Sequence, residues 1–213
     1  MYCISKANPS LDIALGVGYA QEILNRPLTA CVAVRNDRIG GEMAPCVGSR
    51  APGFTVKALV GDSTKDVSLS DFAGKWVVLY FYTKDDTPVC ESENRAFRAS
   101  QSEFEKLGVD IMAASVDSID SHRTWRDNGL GDLPFYWIAD DSKALARSYG
   151  VLHEDTGLAL RGTFIINPDG LLKHIAVSDL AVGRHVGEIL RILQALQSGK
   201  PTQCNWQPGE PTL

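Results

Sequence analysis

The chain has 213 residues, enough for one domain with an appendage, since domains run to about 100–200 residues. Its 21 basic and 26 acidic residues leave a formal net charge of -5. No stretch gathers Lys and Arg on one helix face, so nucleic-acid binding gets no support. No apolar run approaches the length of a membrane span, and no positively charged segment precedes a hydrophobic one at the N-terminus, so the expectation is a soluble cytoplasmic protein that does not engage a membrane.

Residues 1–46 are the least informative. LDIALGVGYAQEIL suggests a short amphipathic helix starting near Ser10 and ended by Asn25, Arg26 and Pro27, and LTACVAV a strand. Leu28-Thr29-Ala30-Cys31 has the form of a bacterial lipoprotein cleavage box. However, Gln21, Glu22, Asn25, Arg26 and Pro27 occupy the place where an apolar signal core should run. The expectation is an N-terminal helical extension, with Met43 offering an internal start.

The body is expected over residues 47–197. GFTVKALV (53–60) alternates enough for a strand, and Gly61-Asp62-Ser63 turns the chain. VVLYFY (77–82) is a continuous apolar run rich in β-branched and aromatic residues, the pattern of a strand buried on both faces. The polar turn Lys84-Asp85-Asp86-Thr87-Pro88 breaks it, and from Cys90 onward ESENRAFRASQSEFEKLG reads as one helix ending at Gly108, with Phe97 and Phe104 on its buried side. Cys90 therefore sits where a helix begins. Unpartnered N–H groups and the positive end of the helix dipole favour an anion there, so its thiol should ionise easily. An inert core cysteine would not need the polar turn before it.

VDIMAASV (109–116) is a second buried strand, and SIDSHRTWRDN (118–128) a helix beginning at Ser118. LPFYWIAD reads as a strand and DSKALARSYGV as a helix. TFIINPDG and LLKHIAV are strands meeting at a Pro-Asp-Gly turn. HVGEILRILQAL (185–196) closes the body with Val186, Ile189, Leu190, Leu193 and Leu196 on one stripe. This order specifies an α/β fold of three layers, with a mixed sheet and helices on both faces. Residues 198–213 form a Gly- and Pro-punctuated tail expected to leave the body. The five cysteines, Cys3, Cys31, Cys46, Cys90 and Cys204, show no Cys-x-x-Cys and no His-Cys cluster. That spacing argues against a metal site or a secreted disulfide framework and for thiol chemistry in a reducing compartment.

Three segments carry a family resemblance. FYTKDDTPVCESE resembles the active-site segment of a peroxiredoxin, in which Pro-x-x-x-Thr-x-x-Cys precedes the helix. LRGTFIINPDGLLKHI resembles that family's arginine strand and hairpin. LAVGRHVGEILRILQALQSGKPTQCNWQPGE is similar to the end of typical 2-Cys peroxiredoxins, the alkyl hydroperoxide reductase C / thiol-specific antioxidant group, where a Val-Cys-Pro tail is followed by Trp-x-Pro-Gly. The resemblance spans roughly residues 47–209. It implies a thioredoxin-like fold and a thiol-dependent peroxidase acting on hydrogen peroxide and organic hydroperoxides without a cofactor. Carried over, Cys90 is the peroxidatic cysteine, Thr87 the hydroxyl three residues before it, Glu93 the acid three after, Arg161 the fixed cation and Cys204 the resolving cysteine. It further implies that a Cys90 sulfenic acid condenses with Cys204 of the partner subunit, that thioredoxin or a similar dithiol reduces the disulfide, and that the protein forms a homodimer and a ring of five dimers.

The chain also departs from the pattern. Thr83 stands where the family has its proline, and Pro88 is expected to take over part of the shielding of the sulfur. Thr-Pro-Val-Cys is closer to the monomeric bacterioferritin-comigratory type, whose resolving cysteine often lies five residues on, where this chain has Arg95. Trp206 lies two residues nearer its cysteine than in the usual tail. Asn128-Gly129-Leu130-Gly131 replaces a Gly-Gly-Leu-Gly loop, and the chain as given stops at Leu213 without a helix bearing Tyr-Phe; both features imply resistance to overoxidation. The alternatives are a one-Cys or bacterioferritin-comigratory-type peroxidase, and a non-enzymatic holdase or scaffold on the same fold.

Overall fold

The computed structural model of the chain describes residues 44–213; the helix and strand expected within residues 1–43, and Cys3 and Cys31, lie outside them. Strand β1 (Thr55–Val60) and strand β2 (Ser63–Ser68) form a hairpin. A 3-10 turn over Leu69–Phe72 leads into β3 (Trp76–Phe81). Helices α1 (Pro88–Ala99) and α2 (Gln101–Lys106) come next, then β4 (Val109–Ser115) and α3 (Ile119–Trp125), which runs on into a wide turn over Arg126–Leu130. Beyond these lie β5 (Tyr136–Ala139), α4 (Ala144–Ser148) and a small hairpin of β6 (Leu152–His153) with β7 (Leu158–Ala159). The body closes with β8 (Arg161–Ile166), β9 (Leu172–Ser178) and α5 (Val186–Gln197).

Seven strands make one sheet in the order β2-β1-β5-β4-β3-β8-β9. β3 pairs in parallel with β4, and β4 with β5, whereas β8 runs antiparallel to β3 and β9 antiparallel to β8. The sheet is therefore mixed, as expected. Because side chains alternate across a strand, β3 feeds two cores. Val78, Tyr80 and Tyr82 point to one layer, with Phe97 and Phe104 of α1 and α2, Trp125 of α3 and Leu190 and Leu193 of α5. Val77, Leu79 and Phe81 point to the other, with Leu145, Ala146 and Tyr149 around α4. These are the three layers that the element order implied.

Two expectations change. The long helix after Cys90 is two helices, broken at Ser100, whose φ of -93° and ψ of 3° leave the helical region. Phe97 and Phe104 still share the buried side, with ring centroids 6.0 Å apart. β2 was not anticipated, because STKDVS carries no apolar alternation; it is a solvent-facing edge strand, and only Val67 in it is buried.

The sheet also fixes the segment after β3. Tyr82 N donates to Ala114 O at 2.9 Å, which carries the β3 register one residue beyond the strand. Tyr80 of β3 grips α1 twice: its hydroxyl donates to Asn94 Oδ1 at 2.6 Å, and its ring stacks on Phe97 at 3.9 Å. The middle of α1 is thereby held against β3.

Candidate active site

Cys90 is the third residue of α1 and is 0% exposed. Thr87 caps the helix in an extended conformation and Pro88 opens it, where a missing N–H costs nothing. Since β8 is antiparallel to β3, its first residue, Arg161, lies beside the end of β3, under the first turn of α1. Arg161 Nη1 approaches Cys90 Sγ at 3.4 Å and donates to Glu93 Oε2 at 2.7 Å. Its Nε donates to Leu180 O at 2.8 Å, which fixes the plane of the guanidinium. Glu93, one helical turn past Cys90, thus lies against the arginine beside the sulfur.

Two opposing effects act on the Cys90 thiol. Burial pushes its pKa up, while hydrogen bonds from Thr83, Thr87, the Lys84 backbone and Arg161 pull it down. The hydrogen bonds win, and the thiol ionises below its ordinary range. Thr83 Oγ1 lies 3.1 Å from the sulfur. Thr87 Oγ1 donates to Lys84 O at 3.2 Å; its single proton cannot serve both acceptors, so it must turn away from Lys84 to reach the sulfur.

Sequence reasoning missed two residues here. Thr83 registered only as the absence of a proline, yet its hydroxyl touches the sulfur. Pro88, expected to help shield that sulfur, opens α1 and is exposed. Arg184 was not anticipated at all. Its main-chain N donates to Glu93 Oε1 at 2.9 Å and its Nη1 to Glu93 Oε2 at 3.1 Å. Its Nη2 donates to Phe81 O, and its guanidinium sits 5.2 Å over the Tyr80 ring. Burial lowers the pKa of Arg184, and Glu93 opposes that. Glu93 is therefore a buried carboxylate clamped between two buried guanidiniums, with side-chain exposures of 2% for Glu93, 3% for Arg161 and 5% for Arg184.

The sequence matches the AhpC/TSA family over residues 47–175. The chain belongs to that family, the peroxiredoxins. It is 45% identical over 180 residues to a thioredoxin peroxidase of Echinococcus granulosus, an alignment covering 80% of this chain and 93% of the relative. It is 39% identical to the chloroplastic 2-Cys peroxiredoxin BAS1 of Spinacia oleracea, with 97% and 81% covered, and 44% identical to the mitochondrial thioredoxin-dependent peroxide reductase of Homo sapiens, with 80% and 70% covered. The crystal structure of the reduced Plasmodium vivax 2-Cys peroxiredoxin superposes with a TM-score of 0.75 at 37% identity, covering 78% of this chain and 91% of that one. The thioredoxin-like fold expected from the resemblance is thus the fold of this peroxiredoxin.

Four of the five expected site residues, Cys90, Thr87, Glu93 and Arg161, meet at the start of α1; Cys204 stands apart. Cys90 and Cys204 are both free thiols, the first buried and the second exposed. The tail of this peroxiredoxin does not leave the body as its composition suggested. Trp206 is buried, its Nε1 donates to Glu210 O at 3.0 Å, and Arg191 of α5 donates to Trp206 O at 3.2 Å. The shortened spacing between Cys204 and Trp206 is bridged by Asn205 at a φ of 60°, a left-handed conformation that Asn tolerates better than most residues. The anchored tryptophan leaves Cys204 on the outside of a tight turn.

Proposed function

We propose that this peroxiredoxin reduces hydrogen peroxide and organic hydroperoxides through Cys90, and that Cys204 of the partner subunit resolves the oxidised sulfur. The observation that carries this reading is the buried Cys90 thiol, held at 3.1 Å by Thr83 and 3.4 Å by Arg161 and shifted toward the thiolate. The thiolate attacks one peroxide oxygen: an S–O bond forms as the O–O bond breaks, sulfur is oxidised to the sulfenic acid, and the second oxygen leaves as alkoxide or hydroxide and takes a proton from water. Charge develops on that leaving oxygen, so donors already in place beside the sulfur lower the barrier. Arg161 offers a planar fork whose Nη1 touches both Glu93 and the Cys90 sulfur, which places its donors beside the reacting atoms.

The sulfenic acid then condenses with a thiol, losing water, and an external dithiol reduces the disulfide. Relatives named thioredoxin peroxidase and thioredoxin-dependent peroxide reductase support thioredoxin as that reductant. A cytoplasmic setting, with its reduced dithiol pool, suits the cycle. Cys90 is wholly buried and Cys204 is exposed, so the first turn of α1 must open locally before the two sulfurs meet, as is common for low-stability segments at functional sites.

One equivalent of peroxide followed by a non-reducing gel tests the resolving step. A covalent dimer that disappears in Cys204→Ser is expected, with the first turnover retained in that variant and recycling lost. An oxidised monomer would overturn the role of Cys204 and favour the one-Cys or bacterioferritin-comigratory-type reading. The same geometry supports assembly of dimers into a ring of five, because the turn before Cys90 borders an open cavity of about 360 Å³, lined by Lys84, Thr87 and Trp125 among others, that a neighbouring dimer can fill. Native mass spectrometry of the reduced protein should find ten subunits; a dimer alone would exclude the ring.

A further inference from the structure

We propose that Thr83 is a further catalytic residue of this peroxiredoxin, its hydroxyl donating to the Cys90 sulfur once that sulfur is ionised and sharing with Arg161 the task of holding the thiolate. The proposal rests on the reading of Cys90 as the attacking group. Thr83 is 7% exposed, and its Oγ1 lies 3.1 Å from Cys90 Sγ, closer than the 3.4 Å of Arg161 Nη1. Among the described residues the Thr83 hydroxyl has no other hydrogen-bond partner, so its proton has only the sulfur to serve. Thr87 differs, because its proton is engaged by Lys84 O and must abandon that bond to reach Cys90.

Placement and chemistry both suit the role. The main chain one residue earlier is tied to β4 through Tyr82 N and Ala114 O, so the sheet positions Thr83, while the turn that must open for resolution begins after it. A hydroxyl carries one donor and two acceptor sites. It can accept from the neutral S–H and donate to the thiolate, following the proton without moving its heavy atoms. A proline ring at this position has no donor, so this chain gains a hydrogen bond that the usual family pattern lacks. Burial raises the Cys90 pKa, and hydrogen bonding from Thr83 is the largest of the influences that lower it. The charged and titratable groups around the sulfur are Arg161 from β8, Glu93 on the same helix, Arg184 ahead of α5 and Tyr80 from β3. Thr83 is neutral, and replacing it alters none of their charges.

The experiment measures alkylation of Cys90 by iodoacetamide against pH, followed on its own peptide by mass spectrometry in the Cys204→Ser background. Thr83→Val, which keeps the shape and removes the hydroxyl, should move the midpoint up by about one pH unit, the tenfold that one hydrogen bond to a charged group carries. The peroxide rate constant measured below the parental midpoint should fall by about tenfold and recover at more alkaline pH, because the lost thiolate fraction returns there. Thr83→Ser should keep both the midpoint and the rate. If Thr83→Val fails to fold, Thr83→Ala provides the same readout, since a smaller side chain cannot clash. A merely structural threonine would lower thermal stability and leave the midpoint in place; an unmoved midpoint in a folded variant overturns the proposal. Loss of peroxide consumption in Cys90→Ser keeps the two readings separate: retained activity there defeats the assignment of Cys90 itself.

Discussion

Glu93→Gln is expected to lower the stability of the folded chain by about 3–5 kcal/mol, the effect of removing one partner from a buried ionic cluster and leaving the other charges uncompensated. Glu93 accepts from Arg161 Nη1, from Arg184 Nη1 and from the Arg184 main chain. The amide keeps the shape but has one acceptor oxygen in place of two, and its NH₂ group faces guanidinium donors. Two buried cations then repel each other with no anion between them. Urea unfolding followed by tryptophan fluorescence measures the loss, and peroxide consumption should fall with it, because Arg161 loses the carboxylate that aims it at Cys90. A variant as stable as the parent would show that water enters the cluster and replaces Glu93.

The clamp also shows what a sequence can and cannot reveal. Cys90 was legible from its place at a helix start behind a polar turn, whereas Thr87, Glu93 and Arg161 were named through the resemblance, Thr87 three residues before the cysteine, Glu93 three after it and Arg161 just ahead of an apolar strand. Arg184 contacts Glu93 across 91 positions of chain, and only the packing of the segment before α5 against β3 brings it there. Its signal was present in Gly183-Arg184-His185, a basic residue just ahead of a strongly amphipathic helix, but spacing alone does not distinguish such a residue from a solvated one. The mixed sheet with helices on both faces followed from the continuous apolar run of β3 and from strands that alternate with helices before closing as a hairpin. β2 did not, since an edge strand of polar residues leaves no hydrophobic pattern, and neither did the break at Ser100, where good helix formers continue on both sides. Thr83 was visible as a departure, but its hydrogen bond depends on a χ1 angle and a helix position that only packing sets.

Arg161→Met is expected to behave differently from the glutamate variant, because the carboxylate it leaves behind keeps a partner. Glu93 retains both contacts from Arg184, so the stability loss should be well below that of Glu93→Gln. The chemistry should suffer more. Removing a preset donor from a developing oxyanion costs about 10²–10³-fold in rate, and Arg161 is the one cation with an atom at the Cys90 sulfur among the described residues. Two effects combine and have separable signatures. Loss of the cation raises the thiol pKa, so part of the deficit at pH 7 should vanish as the pH rises through the new midpoint and the thiolate is restored. Loss of the donor to the leaving oxygen persists at every pH. The second-order rate constant with hydrogen peroxide, measured from pH 5 to pH 10, should therefore climb in the variant over a more alkaline range than in the parent and level off at a lower plateau. Full recovery at high pH would assign Arg161 to ionising Cys90 alone. A plateau reached at the parental midpoint would leave it acting only on the leaving oxygen.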